Sequence, residues 1–311
     1  MNRTLKSNVC LLGTAIIWGF AFVAQRDSMD TIGPFMYSAI RMLLGSLTLV
    51  PIFLIGDRIR AKKHPDERSI EEKKASMKTL FTGGIIAGLV IFFAANLQQV
   101  GLVSTDAGKT AFITTLYSLL VPMFGLFLKH KANRNNWIGA VIGAAGLYFL
   151  CVTTELTIAR GDFLVFIGAF CWAFHILVLD HFAPKVDVSK LICIQFLVSG
   201  IISLIIAFIV EDGNTVSGII QCAPSLLYTG IMSSAVAFTL QGLGQKHANP
   251  TTASIILSTE SLFGAVSGFL VLHEMMTGRE LLGCALMLAA VIIAQLPTKE
   301  ERAAETTQQQ D

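Results

Sequence analysis

Long apolar runs separated by short polar breaks make up most of the chain. A helix needs about 20 mostly apolar residues to cross the hydrocarbon core of a bilayer. Ten runs of about that length are predicted as spans, at 8–25, 33–56, 79–101, 105–128, 136–154, 162–180, 189–210, 224–244, 250–272 and 278–297. The runs lack the period-two alternation of a β-barrel. The pattern predicts an all-α integral membrane protein with no room for a sizeable soluble domain.

Composition agrees with this reading. Of 311 residues, 53% are hydrophobic and only 14% are charged, whereas soluble domains are about one-quarter charged. A net charge of +2 gives no support to nucleic-acid binding, so the expected partners are membrane lipid and a small solute. The six cysteines form no CxxC pair, which favours packing roles over metal binding.

The basic residues are sorted between the two sides of the predicted membrane. With the N-terminus inside, 18 Lys and Arg residues fall on the inner side and 3 on the outer side, and the remaining two of the 23, Arg41 and Lys109, lie within predicted helices. Cytoplasmic loops carry the excess of Lys and Arg in membrane proteins. The distribution predicts a multi-pass protein of the cytoplasmic membrane with both termini in the cytoplasm.

The two halves of the chain resemble each other. Ala15–Phe20 is similar to Ala169–Phe174, and Leu97–Gly101 is similar to Leu240–Gly244. Five helices per repeat is an odd number, so the second copy enters the membrane from the opposite side, as in many secondary transporters. The predicted fold is therefore ten transmembrane helices as two inverted five-helix repeats. Its parts are a first repeat at 7–154, a second repeat at 162–297 and a polar cytoplasmic tail at 298–311.

Short motifs recur along the chain in a definite order. They are Trp18, Ser38–Leu44, Thr110–Pro122, Ser254–Glu260 and Leu270–Glu274. In this order and spacing the chain resembles the drug/metabolite transporter superfamily, EamA-type, over nearly its whole length. The resemblance implies a compact ten-helix bundle with a central cavity and small polar metabolites or amino acids as cargo, often exported. One position departs from the family pattern: Ser261 stands where proline usually follows the glutamate, so we expect a softened bend there.

Two motifs resemble cofactor sites without completing them. Ala107–Thr110 is similar to the end of a phosphate-binding loop, but position 103 is valine where a glycine is needed. His273–Thr277 begins like a zinc-protease motif and lacks the second histidine. No catalytic dyad is visible either. We therefore expect no cofactor, no metal and no enzyme activity, with a membrane-embedded enzyme or a structural or sensory protein as the less favoured alternatives.

Ionisable groups within the spans are the first candidates for a site, because each is expensive to keep in a bilayer. Glu260 lies near the middle of the ninth span and Arg41 about two turns into the second. Glu260 is interpreted either as a proton carrier or anchor for a substrate amine, or as a partner of Arg41 in a buried ion pair. His175 follows Trp172 by three residues and shares its helix face, which allows a proton relay or plain packing.

Uncharged polar residues recur at matching places in the two halves. Gln98 in the third span corresponds to Gln241 in the eighth, and Thr114 and Tyr117 share one face of the fourth. A hydrated cavity between the repeats or interhelical hydrogen bonds would satisfy such groups. The predicted substrate-binding residues are Trp18, Arg41, Asn96, Thr114, Tyr117, Trp172, His175, Gln241 and Glu260.

These residues and the inverted repeat predict a secondary transporter that works by alternating access. Its expected cargo is a small polar metabolite, an amino acid or a related compound, with export favoured by the family resemblance and proton coupling as a hypothesis. An importer of a sugar or carboxylate metabolite with the same fold is the alternative.

Overall fold

The computed structural model describes residues 3–63, 69–105, 107–127, 133–151, 160–272 and 277–296, and every regular element in these ranges is helical. The elements are α1 (Arg3–Ser28), α2 (Pro34–Lys63), α3 (Ile70–Gly101), α4 (Ala107–Thr115), α5 (Tyr117–Phe127), α6 (Arg134–Cys151), α7 (Arg160–Phe182), α8 (Val188–Val210), α9 (Val216–Gln221), α10 (Ala223–Leu227), a π-helical segment (Tyr228–Ala237), α11 (Phe238–Gln245), α12 (Pro250–Leu257), α13 (Glu260–Leu272) and α14 (Gly278–Gln295). The predicted tail at 298–311 and most of the protease-like motif, His273–Met276, lie outside the described residues.

Several helices are long and apolar enough to cross a bilayer. Within the described ranges six meet this criterion: Arg3–Ser28, Pro34–Ile59, Ile70–Gly101, Arg160–Phe182, Val188–Val210 and Ala223–Gln245. Large apolar side chains such as Leu47, Phe93 and Phe208 are exposed on their outer faces, as expected of a surface that contacts lipid. The chain is therefore a multi-pass membrane protein. Helical backbone also lies within each of the ten predicted segments.

Two of the predicted segments are interrupted near their middles. The fourth is divided into α4 and α5 at Leu116, and α5 continues through Pro122. The ninth is divided into α12 and α13 at Ser258 and Thr259. The hydroxyls of Ser258 and Thr259 donate hydrogen bonds to carbonyls three residues back, which weakens the helical ladder. The softened bend expected from Ser261 stays a prediction.

The eighth predicted segment contains a π-helix of ten residues, Tyr228–Ala237. A π-helix is rare, and π-bulges are frequent at functional sites. The eighth predicted segment as a whole runs antiparallel to α1. Trp18 donates its indole N–H to the carbonyl of Ser233 in the π-helix (3.1 Å), and the hydroxyl of Ser225, in α10, donates to the Ala24 carbonyl (2.7 Å). The wider turn therefore lies directly against α1.

Helices α2 and α8 form an antiparallel pair that runs through the bundle. At one end the Glu211 carboxylate accepts hydrogen bonds from the backbone amides of Phe35 (2.7 Å) and Met36 (3.0 Å). At the other end Asp57 forms an ion pair with Lys190 at 2.6 Å. We call these two ends of the bundle the Gly33 end, where α1 ends and α2 begins, and the Asp57 end.

A second antiparallel pair joins α6 to α14 through small residues. A Cβ at Gly139 would lie 2.9 Å from the Ala290 carbonyl oxygen, and one at Gly146 would lie 2.9 Å from the Gly283 carbonyl oxygen. Glycine at these positions lets the two backbones approach closely. The remaining large contacts also join distant parts of the sequence: α3 packs on α7 and α8, and α1 packs on α11, α13 and the π-helical segment.

Candidate functional site

A cavity lies between α1, α2 and the two interrupted segments, α4–α5 and α12–α13. It is on the side of the bundle centre nearer the Gly33 end. Its lining comes from both halves of the chain and consists of Trp18, Ala21, Phe22, Gln25, Arg41, Gln98, Thr114, Tyr117, Trp172, Ser233, Phe238 and Glu260. The cavity volume is about 40 Å³, which is enough for a few water molecules. A larger solute would require the surrounding helices to separate.

Aromatic rings form the floor of the cavity toward the Asp57 end. The ring centroids of Trp18 and Phe238 lie 4.7 Å apart, those of Trp18 and Trp172 6.3 Å, and those of Trp172 and Phe238 6.1 Å. Separations in this range are favourable for tilted aromatic pairs. The three rings, which all line the cavity, are called the aromatic floor below.

The cavity wall contains one cationic side chain, Arg41, which has no acidic partner among the described residues. Its Nη1 donates to the Gln25 amide oxygen at 2.7 Å, while its Nε has no hydrogen-bond partner in the described part of the chain. Only 6% of the residue surface is exposed. A buried charge is normally paired or fully hydrogen-bonded, so Arg41 retains unused capacity to bind an anion.

Glu260 is the acidic residue of the cavity, at the first position of α13 directly after the interruption. It accepts a hydrogen bond from the Tyr117 hydroxyl at 3.1 Å. The ion pair between Glu260 and Arg41 that the sequence allowed is not formed among the described residues, where each group has the neutral partner given above. A cation and a carboxyl group thus line one cavity without neutralising each other.

Further polar atoms also belong to the cavity wall. Gln98 donates to the Thr114 hydroxyl at 3.2 Å, which joins α3 to α4. The indole N–H of Trp172 has no acceptor within the ranges that the structure describes. A buried donor without an acceptor is uncommon in proteins, so this N–H can bind an oxygen of a solute.

Six of the nine predicted site residues line the cavity, and Asn96, His175 and Gln241 do not. Asn96 donates across to the Ser203 hydroxyl on α8 at 2.9 Å and to the Phe92 carbonyl at 2.8 Å. Its position matches the alternative of an interhelical hydrogen bond. His175 and Gln241 are fully buried on the other side of the aromatic floor.

Several lining residues were not among the predicted ones. Gln25, one turn before the end of α1, positions Arg41 and could have been suspected as a polar residue in an apolar span. Phe22 and Phe238 gave no sequence signal, because phenylalanine is frequent throughout the chain. Ser233 belongs to the π-helical segment, whose geometry no local pattern indicated. Within the described ranges no group of His, Cys, Asp and Glu side chains has the arrangement of a metal site.

The fold and the cavity define a class: a multi-pass helical membrane protein whose bundle contains a cavity with aromatic, polar and ionisable lining residues. The EamA-like transporter family matches residues 5–152 and again 159–295. The chain belongs to this family.

Curated relatives and a solved structure agree in length and fold. An uncharacterized transporter of Archaeoglobus fulgidus is 26% identical over 296 residues, which cover 94% of this chain and 87% of that protein. The uncharacterized transporter YoaV of Bacillus subtilis is 24% identical, with 93% of this chain and 96% of that protein covered. A crystal structure that is 16% identical has a TM-score of 0.74 and covers 96% of this chain and 98% of its own, which shows a shared fold.

Proposed function

We propose that the protein is a secondary transporter that moves a small polar metabolite, an amino acid or a close relative, across the cytoplasmic membrane by alternating access. Arg41 binds the carboxylate of the solute and Glu260 binds its amino group or carries a coupling proton. The observation that carries this proposal is that the Arg41 guanidinium lines the same cavity as Glu260 and has no acidic partner among the described residues. A solute with both charges supplies each group with the partner that it lacks.

The arrangement of the helices supports ten spans in two inverted repeats. Helix α1 ends at Ser28 and α7 at Phe182, and α2 begins at Pro34 and α8 at Val188, so both pairs are separated by 154 residues. Equivalent helices α2 and α8 nevertheless run in opposite directions. The family also matches the two halves separately. Two similar halves of opposite orientation provide two nearly equivalent states, each open to one side.

Orientation and direction follow from charge and resemblance. The Asp57 end holds the basic loops, so we assign it to the cytoplasm together with both termini. The cavity then lies on the outer side of the aromatic floor. Export is the proposed direction because the family resemblance implies it, while the cavity itself serves either direction.

Solute counterflow into liposomes that contain the purified protein tests this function. The panel holds neutral amino acids, the matching carboxylates without an amino group and the matching amines without a carboxylate. We expect transport of amino acids that is lost in Arg41→Met and Glu260→Gln and reduced in Tyr117→Phe. Arg26→Met is the matched control, because Arg26 pairs with Asp30 on the exposed Gly33 end. Preference for the carboxylates would show that the cargo is a carboxylate metabolite and not an amino acid. Absence of flux for every compound would refute the transport proposal.

A further inference from the structure

A second group of polar side chains lies beneath the aromatic floor, toward the Asp57 end. His175 packs edge-on against Trp172 and Phe238, with ring centroids 5.9 and 5.8 Å apart. Its Nε2 lies 3.1 Å from the Gln195 amide oxygen. Gln241 lies on α11 one turn after Phe238 and is 1% exposed. We call His175, Gln195 and Gln241 the lower layer.

Atoms of the lower layer are buried without the partners that buried polar atoms normally have. The contact with the Gln195 amide oxygen uses Nε2 of His175, so Nδ1 is the ring nitrogen left over. That Nδ1, the Gln195 amide nitrogen and the Gln241 amide oxygen have no hydrogen-bond partner in the described parts of the chain. Buried polar atoms without partners are uncommon and destabilising in proteins, and three on one side of the floor call for a compensating role.

The repeat relates the lower layer to the cavity. The offset of 154 residues that relates Trp18 to Trp172 also relates Arg41 to Gln195, and each of the latter lies seven residues after the start of its helix. The same offset relates Ala21, which lines the cavity, to His175. The cavity and the lower layer are therefore repeat-related places on opposite sides of the aromatic floor.

We propose that His175, Gln195 and Gln241 form a second solute site, which lines the cavity when the transporter is open at the Asp57 end. This inference rests on the proposed alternating access. In that state the aromatic floor separates, the cavity on the Gly33 side closes, and the three unpaired atoms hydrogen-bond the polar groups of the solute. The second site has no permanent cation where the first has Arg41, so it binds the solute through neutral hydrogen bonds.

Access from each side of the membrane tests the second site. In the full chain with its native cysteines replaced by serine, Gln195→Cys is treated with a membrane-impermeant thiol reagent in right-side-out and inside-out vesicles. Two exposed positions report which end the reagent reaches: Lys74→Cys reports the Asp57 end and Asp30→Cys reports the Gly33 end. Leu197→Cys, on the exposed apolar side of α8, is the matched control for reagent that enters through lipid.

We expect Gln195→Cys to react only from the Asp57 end and about 10-fold or more faster than Leu197→Cys, because a thiol in hydrocarbon does not ionise. Failure to react from that end, or reaction from the Gly33 end, overturns the second site. Ala21→Cys, at a lining position of the cavity without a proposed role in binding, reports on the proposed function separately: protection by amino acids at the Gly33 end supports the first site whatever Gln195→Cys does.

A transport measurement distinguishes a solute site from a packing role. Gln195→Met keeps a similar volume and removes the amide. We expect it to lose counterflow while amino acid binding at the first site, measured on the purified protein, stays at the parent level. Unchanged counterflow would overturn the second site, and so would parallel loss of binding and thermal stability.

Discussion

Replacing Arg41 by methionine should separate its contribution to binding from its contribution to stability. Methionine keeps the apolar stem and removes the guanidinium. In the proposed complex Arg41 and the solute carboxylate form a buried, hydrogen-bonded charge pair, since only 6% of Arg41 is exposed. Truncation of one partner of such a pair costs about 2–5 kcal/mol. At about 1.4 kcal/mol per factor of ten, the solute Kd should rise by about 30-fold to about 4,000-fold.

The free energy of unfolding should behave differently. Arg41→Met loses the 2.7 Å hydrogen bond to Gln25, which is of the charged type and contributes about 1.5–3 kcal/mol. It also removes a buried charge that has no acidic partner in the described part of the chain, and this relief offsets the loss. We therefore expect the solute-free variant to unfold at the parent temperature or slightly above it.

Equilibrium binding of a radiolabelled amino acid to purified protein, together with thermal unfolding without solute, measures both effects. Arg26→Met, at the exposed pair with Asp30, should change neither quantity. An Arg41→Met protein that binds the amino acid as tightly as the parent would refute the assignment. Intact affinity with a much lower unfolding temperature would make Arg41 a structural residue.

Three further predictions concern packing and charge at named positions. Gly19→Ala should abolish transport or folding, because a Cβ there would lie 2.7 Å from the Glu260 carbonyl oxygen; Gly56→Ala, with no atom within 4 Å of its Cβ, should leave counterflow and yield unchanged. Glu211→Ala should destabilise the protein by about 1–2 kcal/mol through the lost cap on α2, seen as a lower unfolding temperature that Glu211→Gln partly restores. Lys190→Met should cost less than about 1 kcal/mol, because its ion pair is partly exposed, and a larger shift in the unfolding temperature would contradict that estimate.

Hydropathy predicted the location of the helices well, since each predicted segment contains helical backbone. It could not predict their interruptions. The interruption at Leu116 had no sequence signal, and the one at Ser258 and Thr259 accompanies hydroxyls that bond carbonyls of their own helix. Such side-chain choices are made by the surrounding packing and leave no periodic signal.

The cavity was predictable only in part by depth along the helices, and not by rotation about them. Tyr117 and Glu260 were expected near the cargo, and they meet in the cavity at 3.1 Å. Asn96 has a similar depth, yet its side chain is directed to Ser203 on α8. In a helix that is apolar on every side, hydrophobic periodicity does not identify the face toward the bundle centre. Gln241 does not line the cavity either, for a different reason: it lies at another depth, beyond the aromatic floor.

The packing of each half of the chain on the other has a consequence for biogenesis. Helices α1, α2, α3 and α6 make most of their contacts with α7, α8, α11, α13, α14 and the π-helical segment. A ribosome therefore delivers the first half to the membrane before its main packing partners have been synthesised. Until the second half is inserted, Arg41 and Asn96 lie in the bilayer or its interface without their packing partners from that half. Assembly of the bundle is consequently a late, cooperative event. A chain truncated after α6 should be removed by membrane proteases. Co-expression of the two halves as separate polypeptides should let both halves accumulate in the membrane.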